Sequence, residues 1–157
     1  RRQSVDLSAL LLDCVAACAP LADRKGVDLG ANIRPDLRLR GVESELRALL
    51  ANLIDNAVRY TPPCGNVDVF LGLRDDELVA EVVDSGPGLP PGTETRIFDR
   101  FYRGASNNAE GTGLGLAIAR RVAERHGLAL TVENRRDGVP GALARVTAPR
   151  STPGTAS

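Results

Sequence analysis

An amphipathic pattern from Glu43 to Tyr60 limits the possible folds of this chain more than any other part of its sequence. Apolar side chains recur there every three or four residues, the period of an α-helix with one buried face. The residues of this stripe are Leu46, Leu49, Leu50, Leu53, Ala57 and Tyr60. Thr61-Pro62-Pro63 follows and stops the helix, because the residue before a proline disfavours helical backbone angles. The stripe must be buried against a second layer, so we predict a layered fold.

Helices and strands are predicted on both sides of this segment. One helix runs from Ser8 to Arg24, with Ser8 as its cap and Gly26 as its end, and another from Leu114 to His126. The predicted strands are Val5 to Leu7, Val27 to Ile33, Leu37 to Leu39, Val67 to Leu73, Glu77 to Asp84, Leu128 to Glu133 and Ala142 to Thr147. The expected fold class is α+β, a two-layer sandwich with three helices on one face of a mixed, mostly antiparallel sheet.

Length and charge exclude several classes of protein. A chain of 157 residues has room for one compact domain, and its 20 basic and 20 acidic side chains cancel. Without a basic cluster we expect neither a nucleic-acid nor a lipid partner. No apolar run reaches the ~18 residues of a membrane span, so we expect a cytoplasmic location. Cys14, Cys18 and Cys64 fit neither a disulfide framework nor a zinc site and are expected to pack as apolar groups.

The first candidate constellation lies on the central helix. Asn52, Asn56 and Arg59 are spaced four and three residues apart and so share one helix face. An asparagine amide oxygen can be one of the few protein ligands of a magnesium ion that bridges phosphates, and Arg59 could contact a phosphate oxygen. A solvated helix flank is the alternative interpretation.

The second constellation, Asp84-Ser85-Gly86-Pro87-Gly88, follows the end of a predicted strand. A carboxylate there can accept a hydrogen bond from the exocyclic amine of adenine, whereas the carbonyl of guanine would repel it. The glycines let a ligand approach the backbone closely. A simple turn that contains an aspartate is the alternative.

The third constellation, Gly111-Thr112-Gly113-Leu114-Gly115-Leu116, opens the last predicted helix. Free N–H groups at a helix start stabilise a phosphate. The spacing fits neither the dinucleotide-binding fingerprint nor a P-loop, so this motif is weak evidence alone. The three constellations nevertheless complement one another as parts of a single ATP site. The first would bind the ion and phosphate, the second would select adenine, and the third would bind phosphate at a helix start.

With these motifs the chain resembles the catalytic and ATP-binding domain of bacterial sensor histidine kinases, a branch of the ATPases with the Bergerat fold. Residues 52–62 resemble its N box, residues 84–88 its G1 box, residues 97–103 its F box and residues 111–116 its G2 box. The F box separates this branch from gyrase-like, mismatch-repair and chaperone relatives. The resemblance spans residues 5–149 and implies one domain over residues 1–149, an ATP lid at about residues 99–112 and a disordered tail at residues 150–157.

The resemblance also implies roles for individual residues. It identifies Asn52, Asn56, Arg59, Arg100 and Arg103 as catalytic, and Asn56 as the magnesium ligand. The implied nucleotide-binding residues are Asn52, Asn56, Arg59, Tyr60, Asp84, Gly86, Gly88, Leu89, Phe101, Gly111, Thr112, Gly113, Leu114, Gly115 and Leu116. Hydrolysing relatives carry a glutamate where this chain has Asn52, so ATP is expected to persist until a histidine attacks it.

The implied function is transfer of the γ-phosphoryl group of magnesium-bound ATP to a histidine of a separate dimerisation domain, in two-component signalling through a response regulator. His126 does not lie in an acceptor motif and is expected to cap or pack. The chain itself is expected to be monomeric, and its parent a homodimeric, membrane-bound sensor. The alternatives are a serine kinase of the same fold and a nucleotide-sensing module.

Overall fold

A computed structural model of the chain describes residues 2–89 and 115–148. The helices are α1 (Leu7–Lys25), α2 (Glu43–Tyr60) and α3 (Gly115–Arg125). The strands are β1 (Gln3–Asp6), β2 (Asp28–Ile33), β3 (Arg38–Gly41), β4 (Asn66–Arg74), β5 (Glu77–Asp84), β6 (Ala129–Asn134) and β7 (Ala142–Ala148). The predicted α+β class and the three predicted helices are confirmed.

Five of these strands form one mixed sheet in the order β2-β4-β5-β7-β6. β2 runs parallel to β4, and the other three neighbouring pairs are antiparallel. β1 and β3 pair separately as a two-stranded antiparallel sheet. β5 therefore lies at the centre of the main sheet, and its last residue, Asp84, pairs with Val67 of β4.

The core lies between the helices and one face of the main sheet. In β4, Val67, Val69 and Leu71 are at most 1% exposed, whereas Asp68 between them faces solvent. This alternation places one side of the strand against α2, whose Leu49 and Ile54 are also at most 1% exposed. Burial of each such side chain stabilises the fold by about 1.5 to 3 kcal/mol, so the apolar stripe fixes α2 on the sheet.

The C-terminal end of α2 is held by two side chains. Thr61 Oγ1 donates to the carbonyl of Ala57 at 2.8 Å. Lys25 Nζ, at the end of α1, donates to the carbonyls of Val58 and Arg59 at 3.1 and 2.6 Å. These bonds satisfy carbonyls that a helix end leaves without partners. The helix therefore ends at Tyr60, as predicted.

The cap of α1 differs from the prediction. Asp6, not Ser8, is the N-cap, and its side chain accepts from the N–H of Ala9 at 3.0 Å. The Ser8 hydroxyl lies inside the fold, where it donates to the carbonyl of Arg34 at 2.6 Å and accepts from the N–H of Leu37 at 3.0 Å. Ser8 thus ties α1 to the segment between β2 and β3. Gly26 ends the helix, as predicted.

His126 has the packing role that was predicted for it. Its side chain is 1% exposed and lies between the start of α2 and the end of α3. Nε2 accepts from the N–H of Val42 at 3.1 Å, and Nδ1 lies 2.9 Å from the carbonyl of Val122. Because a backbone N–H can only donate and a carbonyl can only accept, the proton of the neutral ring is on Nδ1.

Cys14 and Cys18 are buried where α1 packs on α2. Burial raises the pKa of both thiols, that of Cys18 to about 11, so both stay protonated near neutral pH, as expected for packing groups. Cys64 is exposed. Among residues 2–89 and 115–148, no helix is long and apolar enough to cross a bilayer.

Candidate functional site

A cavity between α2, the start of α3 and the ends of β5 and β7 brings together residues from all three candidate constellations. It contains about 280 Å³ of empty space, part of which opens to solvent. The residues that line it are Leu53, Asn56, Ala57, Val82, Asp84, Leu116, Val132, Ala142 and Ala144. Asn56 comes from the first constellation, Asp84 from the second and Leu116 from the third. Residues far apart in sequence therefore share one pocket, as the hypothesis of a single site requires.

Asp84 is a buried acidic residue in this cavity, 8% exposed. Its Oδ1 accepts from the N–H groups of Gly86 at 2.9 Å and Ala142 at 3.0 Å. Burial raises the pKa of Asp84, although these two bonds and the nearby Arg135 oppose the rise. Within the described part of the chain Oδ2 has no hydrogen-bond partner, so it can accept one from a ligand.

The turn from Asp84 to Leu89, which we call the 84–89 turn, lies against the end of α2. A Cβ atom at Gly86 would stand 2.9 Å from the carbonyl oxygen of Tyr60, too close for any other residue. Gly88 has φ +81°, a left-handed conformation that glycine adopts without strain. Both glycines of the motif are thus required by the path of the backbone, which passes directly beside the cavity.

Asn52 and Asn56 lie on the side of α2 that faces the cavity and α3. A Cβ atom at Gly115 would stand 3.1 Å from Asn52 Oδ1, so the asparagine side chain lies directly beside the first residue of α3. Asn56 lines the cavity one turn later, and both asparagines are half-buried. The two amides therefore border the space between α2 and the α3 start.

Arg59 lies at the edge of this face. Its Nε donates to Asp55 Oδ2 at 2.9 Å, one turn earlier on the same helix. Tyr60 is half-buried, and its carbonyl oxygen faces Gly86. Leu89 is also half-buried and packs against the core. A phosphate contact by Arg59 would have to be shared with its ion pair to Asp55.

Several predicted site residues lie outside the described residues. They are Arg100, Phe101, Arg103, Gly111, Thr112, Gly113 and Leu114, with the rest of residues 90–114 and the tail predicted at residues 150–157. Of the third constellation, Gly115 and Leu116 are described, and both border the site.

Sequence reasoning missed a group of residues at the turn between β6 and β7. Asn134 and Arg135 bind the backbone of the 84–89 turn, and Ala142 donates its N–H to Asp84. The sequence there reads only as a polar hairpin turn. Its contact with the 84–89 turn arises because β7 pairs with β5, and hairpin patterns carry no information about that pairing.

The chemical character of the cavity suits a flat, partly apolar ligand with an amine and a metal-bound anion. Leu53, Val82 and Leu116 offer apolar walls, and the carboxylate of Asp84 provides a buried acceptor. The amide oxygen of Asn56 is a hard ligand of the kind that magnesium takes from protein while phosphates and water supply the others. The residues present therefore fit both an adenine nucleotide and a divalent cation.

Comparison with known proteins gives consistent matches. Residues 41–152 match the family model described as histidine kinase-, DNA gyrase B- and HSP90-like ATPase. The sensor protein KdpD of Escherichia coli is 44% identical over 105 residues, which cover 66% of this chain and 12% of KdpD. The mycobacterial sensor histidine kinase MprB superposes with a TM-score of 0.84 at 30% identity, over 92% of this chain and 96% of that structure.

A second solved structure is full-length ShkA in complex with AMPPNP. It matches with a TM-score of 0.78 at 30% identity, over 99% of this chain and 32% of ShkA. The chain thus spans about a third of ShkA and about an eighth of KdpD.

Proposed function

Because the chain belongs to the histidine kinase-, DNA gyrase B- and HSP90-like ATPase family, within its sensor histidine kinase branch, we propose that it binds ATP with magnesium and transfers the γ-phosphoryl group to a histidine. The observation that carries this proposal is the shared cavity of Asn56, Asp84 and Leu116. The other site residues are proposed because they lie in the same three sequence motifs or in the segment between the second and the third motif.

The adenine ring would lie between the apolar walls of the cavity, with its exocyclic amine on Asp84 Oδ2. The carboxylate is already oriented by its two backbone hydrogen bonds to Oδ1, so little ordering is needed when the ligand binds. Gly86 and Gly88 would leave room for the ring, and Leu89 would border it. Tyr60 would flank the nucleotide from the end of α2.

The metal and the phosphates would lie at the other end of the site, between α2 and the start of α3. Asn56 would bind magnesium directly, and Asn52 would contact the ion or its waters. Magnesium would neutralise charge on the phosphates during transfer. Arg59 would contact phosphate while remaining close to Asp55. Asn52 stands where hydrolysing relatives carry a glutamate that activates water. Because an asparagine cannot act as that base, its presence supports phosphoryl transfer to a histidine over hydrolysis.

Residues of the segment 90–115 would complete the nucleotide site. Gly111, Thr112, Gly113, Leu114 and Gly115 would hold the phosphates through their N–H groups at the start of α3. Residues 99–112 would form the ATP lid, Phe101 would contact the nucleotide, and Arg100 or Arg103 would reach the γ-phosphate. Residues 1–149 would form the domain and residues 150–157 a disordered tail.

The acceptor would be a histidine of the parent protein's dimerisation domain, and the phosphoryl group would pass on to a response regulator. The buried His126 supports an acceptor elsewhere, because both of its ring nitrogens are engaged inside the fold. The parent would be a homodimer, bound to a membrane as a sensor, with this domain in the cytoplasm. We infer these points from relatives of which this chain spans only a part.

A phosphotransfer assay tests the proposal. The 157-residue chain is mixed with dimerisation domains from sensor histidine kinases and γ-labelled ATP, and the labelled protein is treated with acid and with alkali. We expect label that acid removes and alkali does not, as for phosphohistidine. Label stable to acid would favour the serine kinase alternative, and nucleotide binding without label would favour a sensing module.

A further inference from the structure

The side chain of Asn134, the last residue of β6, binds the backbone at the end of the 84–89 turn. Its Oδ1 accepts from the N–H of Leu89 at 2.6 Å, and its Nδ2 donates to the carbonyl of Leu89 at 3.1 Å. This is the pair of bonds that two residues of neighbouring antiparallel strands exchange. Because both ends of the amide are used, its orientation is fixed.

Asn134 also lies directly against Gly88. A Cβ atom at Gly88 would stand 2.7 Å from Asn134 Oδ1. The amide therefore contacts the turn backbone over two successive residues, and the left-handed conformation of Gly88 brings Leu89 into reach. This contact fixes the path of the chain where it leaves the cavity.

The next residue, Arg135, binds the other end of the same turn. Its Nη1 donates to the carbonyl of Asp84 at 3.2 Å. Its Nε and Nη2 donate to the two carboxylate oxygens of Asp137 at 3.2 and 2.7 Å, which fixes the plane of the guanidinium. The side chain is 17% exposed. Two adjacent residues thus hold the first and last residues of the 84–89 turn.

These contacts are not needed to form the hairpin that carries them. β6 and β7 are paired from Ala129 with Thr147 to Asn134 with Ala142 by their own backbones. The exposed side chain of Asn134 adds nothing to that ladder, and within residues 2–89 and 115–148 it forms hydrogen bonds only with Leu89. Its contribution therefore falls on the turn and on the cavity beside it.

We propose that Asn134 and Arg135 are positioning residues that set the affinity for the nucleoside part of the ligand, by holding the 84–89 turn at both ends. The inference rests on the proposed function. The proposed effect can be separated from a general loss of stability, because the phosphates and the metal would bind at the far end of the cavity, away from the 84–89 turn. Loss of either contact should weaken nucleoside binding and leave the gain in affinity from magnesium unchanged.

The test compares Asn134→Asp with wild type in the 157-residue chain. Aspartate has the same shape and can accept from Leu89 N–H, but its second oxygen repels the carbonyl that Nδ2 binds. Binding of adenosine is measured by calorimetry, because a neutral ligand does not respond to the added charge. We expect affinity to fall by about 3- to 10-fold, the worth of one hydrogen bond. In the uncharged variant Asn134→Ser, the ratio of ADP affinities with and without magnesium should not change.

The matched control is Asn32→Asp, which adds the same charge at an exposed position of β2. This control should bind adenosine as wild type does. Arg135→Lys keeps the positive charge but loses the planar guanidinium group and its several N–H donors, so it should weaken adenosine binding as Asn134→Asp does. Unchanged adenosine affinity in both variants, or an equal loss in the control, would overturn the inference. If wild type binds no adenine nucleotide at all, the proposed function fails first.

A second measurement covers the case in which Asn134→Asp does not fold. Asn134→Ser removes both bonds without adding charge, and hydrogen exchange at the amide of Leu89 then reports the contact directly. We expect faster exchange at Leu89 together with weaker adenosine binding, while amides of α2 exchange as in wild type. Faster exchange at Leu89 with unchanged adenosine affinity would show a merely structural role and overturn the inference.

Discussion

At the scale of single residues, Asp84 shows how burial and hydrogen bonding prepare a binding group. Burial raises its pKa, and the two N–H groups on Oδ1 partly oppose this by stabilising the carboxylate. One oxygen is thus used to fix the side chain. The other is left to interact with a ligand, where it favours an amine over a carbonyl.

We therefore expect Asp84→Asn to lose discrimination between ATP and GTP. The asparagine oxygen can keep the two bonds from Gly86 and Ala142, but its NH₂ group then faces the ligand and repels an amine. A hydrogen bond to a charged group is worth about 1.5 to 3 kcal/mol, so the preference for ATP should fall by about 10- to 100-fold. A competition titration measures it, with Asp28→Asn on the exposed edge strand as control. Undiminished discrimination would rule out the role of Asp84.

Asn56→Ala should remove the effect of magnesium on binding. The variant loses the proposed protein ligand of the ion but keeps Asp84 and the apolar walls of the cavity. ADP should therefore bind in the absence of magnesium about as it does to wild type, and added magnesium should no longer tighten binding. Calorimetry with magnesium and with a chelator provides the comparison. A magnesium effect as large as in wild type would remove Asn56 from the proposed metal site.

At the scale of elements, the end of α2 depends on a contact from α1. Lys25 Nζ binds the carbonyls of Val58 and Arg59, at the negative end of the helix dipole. Lys25→Met keeps the aliphatic stem and removes the charge, and we expect it to lower the free energy of unfolding by about 1 kcal/mol. Urea denaturation measures this, and Arg24→Met at the exposed neighbouring position is the control. A similar loss in both variants would show that net charge, not the cap, is responsible.

The face of the sheet away from the helices carries an ion cluster in which the buried Glu81 is paired with two partly exposed arginines. Glu81 accepts from both Nη atoms of Arg74 at 2.7 and 3.0 Å and from Nε of Arg145 at 2.7 Å. Burial alone would raise the pKa of Glu81, but the bonds from the two arginines outweigh it and lower the pKa below the ordinary 4.5. The stability from this carboxylate is therefore fully present above about pH 4.5 and is lost as the pH falls through the lower folded-state pKa.

Glu81→Gln should accordingly be less stable than wild type at neutral pH, because it loses the charge but leaves both arginines. The difference should shrink as the pH falls below about 4.5 and the wild-type carboxylate becomes protonated. Free energies of unfolding from urea titrations between about pH 3 and 7 test this. A constant difference over that range would mean that Glu81 is not the titrating group.

The elements differ in how far the sequence predicts them. α2 and β5 begin and end at the predicted residues, because each has a clear apolar pattern followed by residues that end the element. These residues are Thr61-Pro62-Pro63 after α2 and the glycine-rich turn after β5. The cap of α1 was predicted wrongly. Ser8 has the right residue type, but its hydroxyl is used by Arg34 and Leu37, whose positions only the tertiary structure defines.

At the scale of the whole molecule, the site forms because the sheet order brings distant segments together. β5 ends in Asp84, and β7 pairs with β5 and brings Ala142 to the same cavity. α2 packs on β4 and β5 and contributes Asn56. The sequence motifs predict Asn56, Asp84 and Leu116 as partners, since their chemistries complement one another. Asn134 and Arg135 could not be predicted in the same way. Their contacts depend on the order of the strands and on the backbone path of the 84–89 turn, and no local sequence pattern describes either.

Amide chemical-shift mapping tests whether this one cavity binds magnesium and ATP. The 157-residue chain is labelled with ¹⁵N and titrated with the non-hydrolysable analogue AMPPNP in the presence of magnesium. We predict saturable shifts at the amides of Asn56, Gly86, Leu116 and Ala142, and little change at Thr131 and Arg145 on the opposite sheet face. Saturable shifts confined to that opposite face, or none at any analogue concentration, would show that the nucleotide does not bind in this cavity.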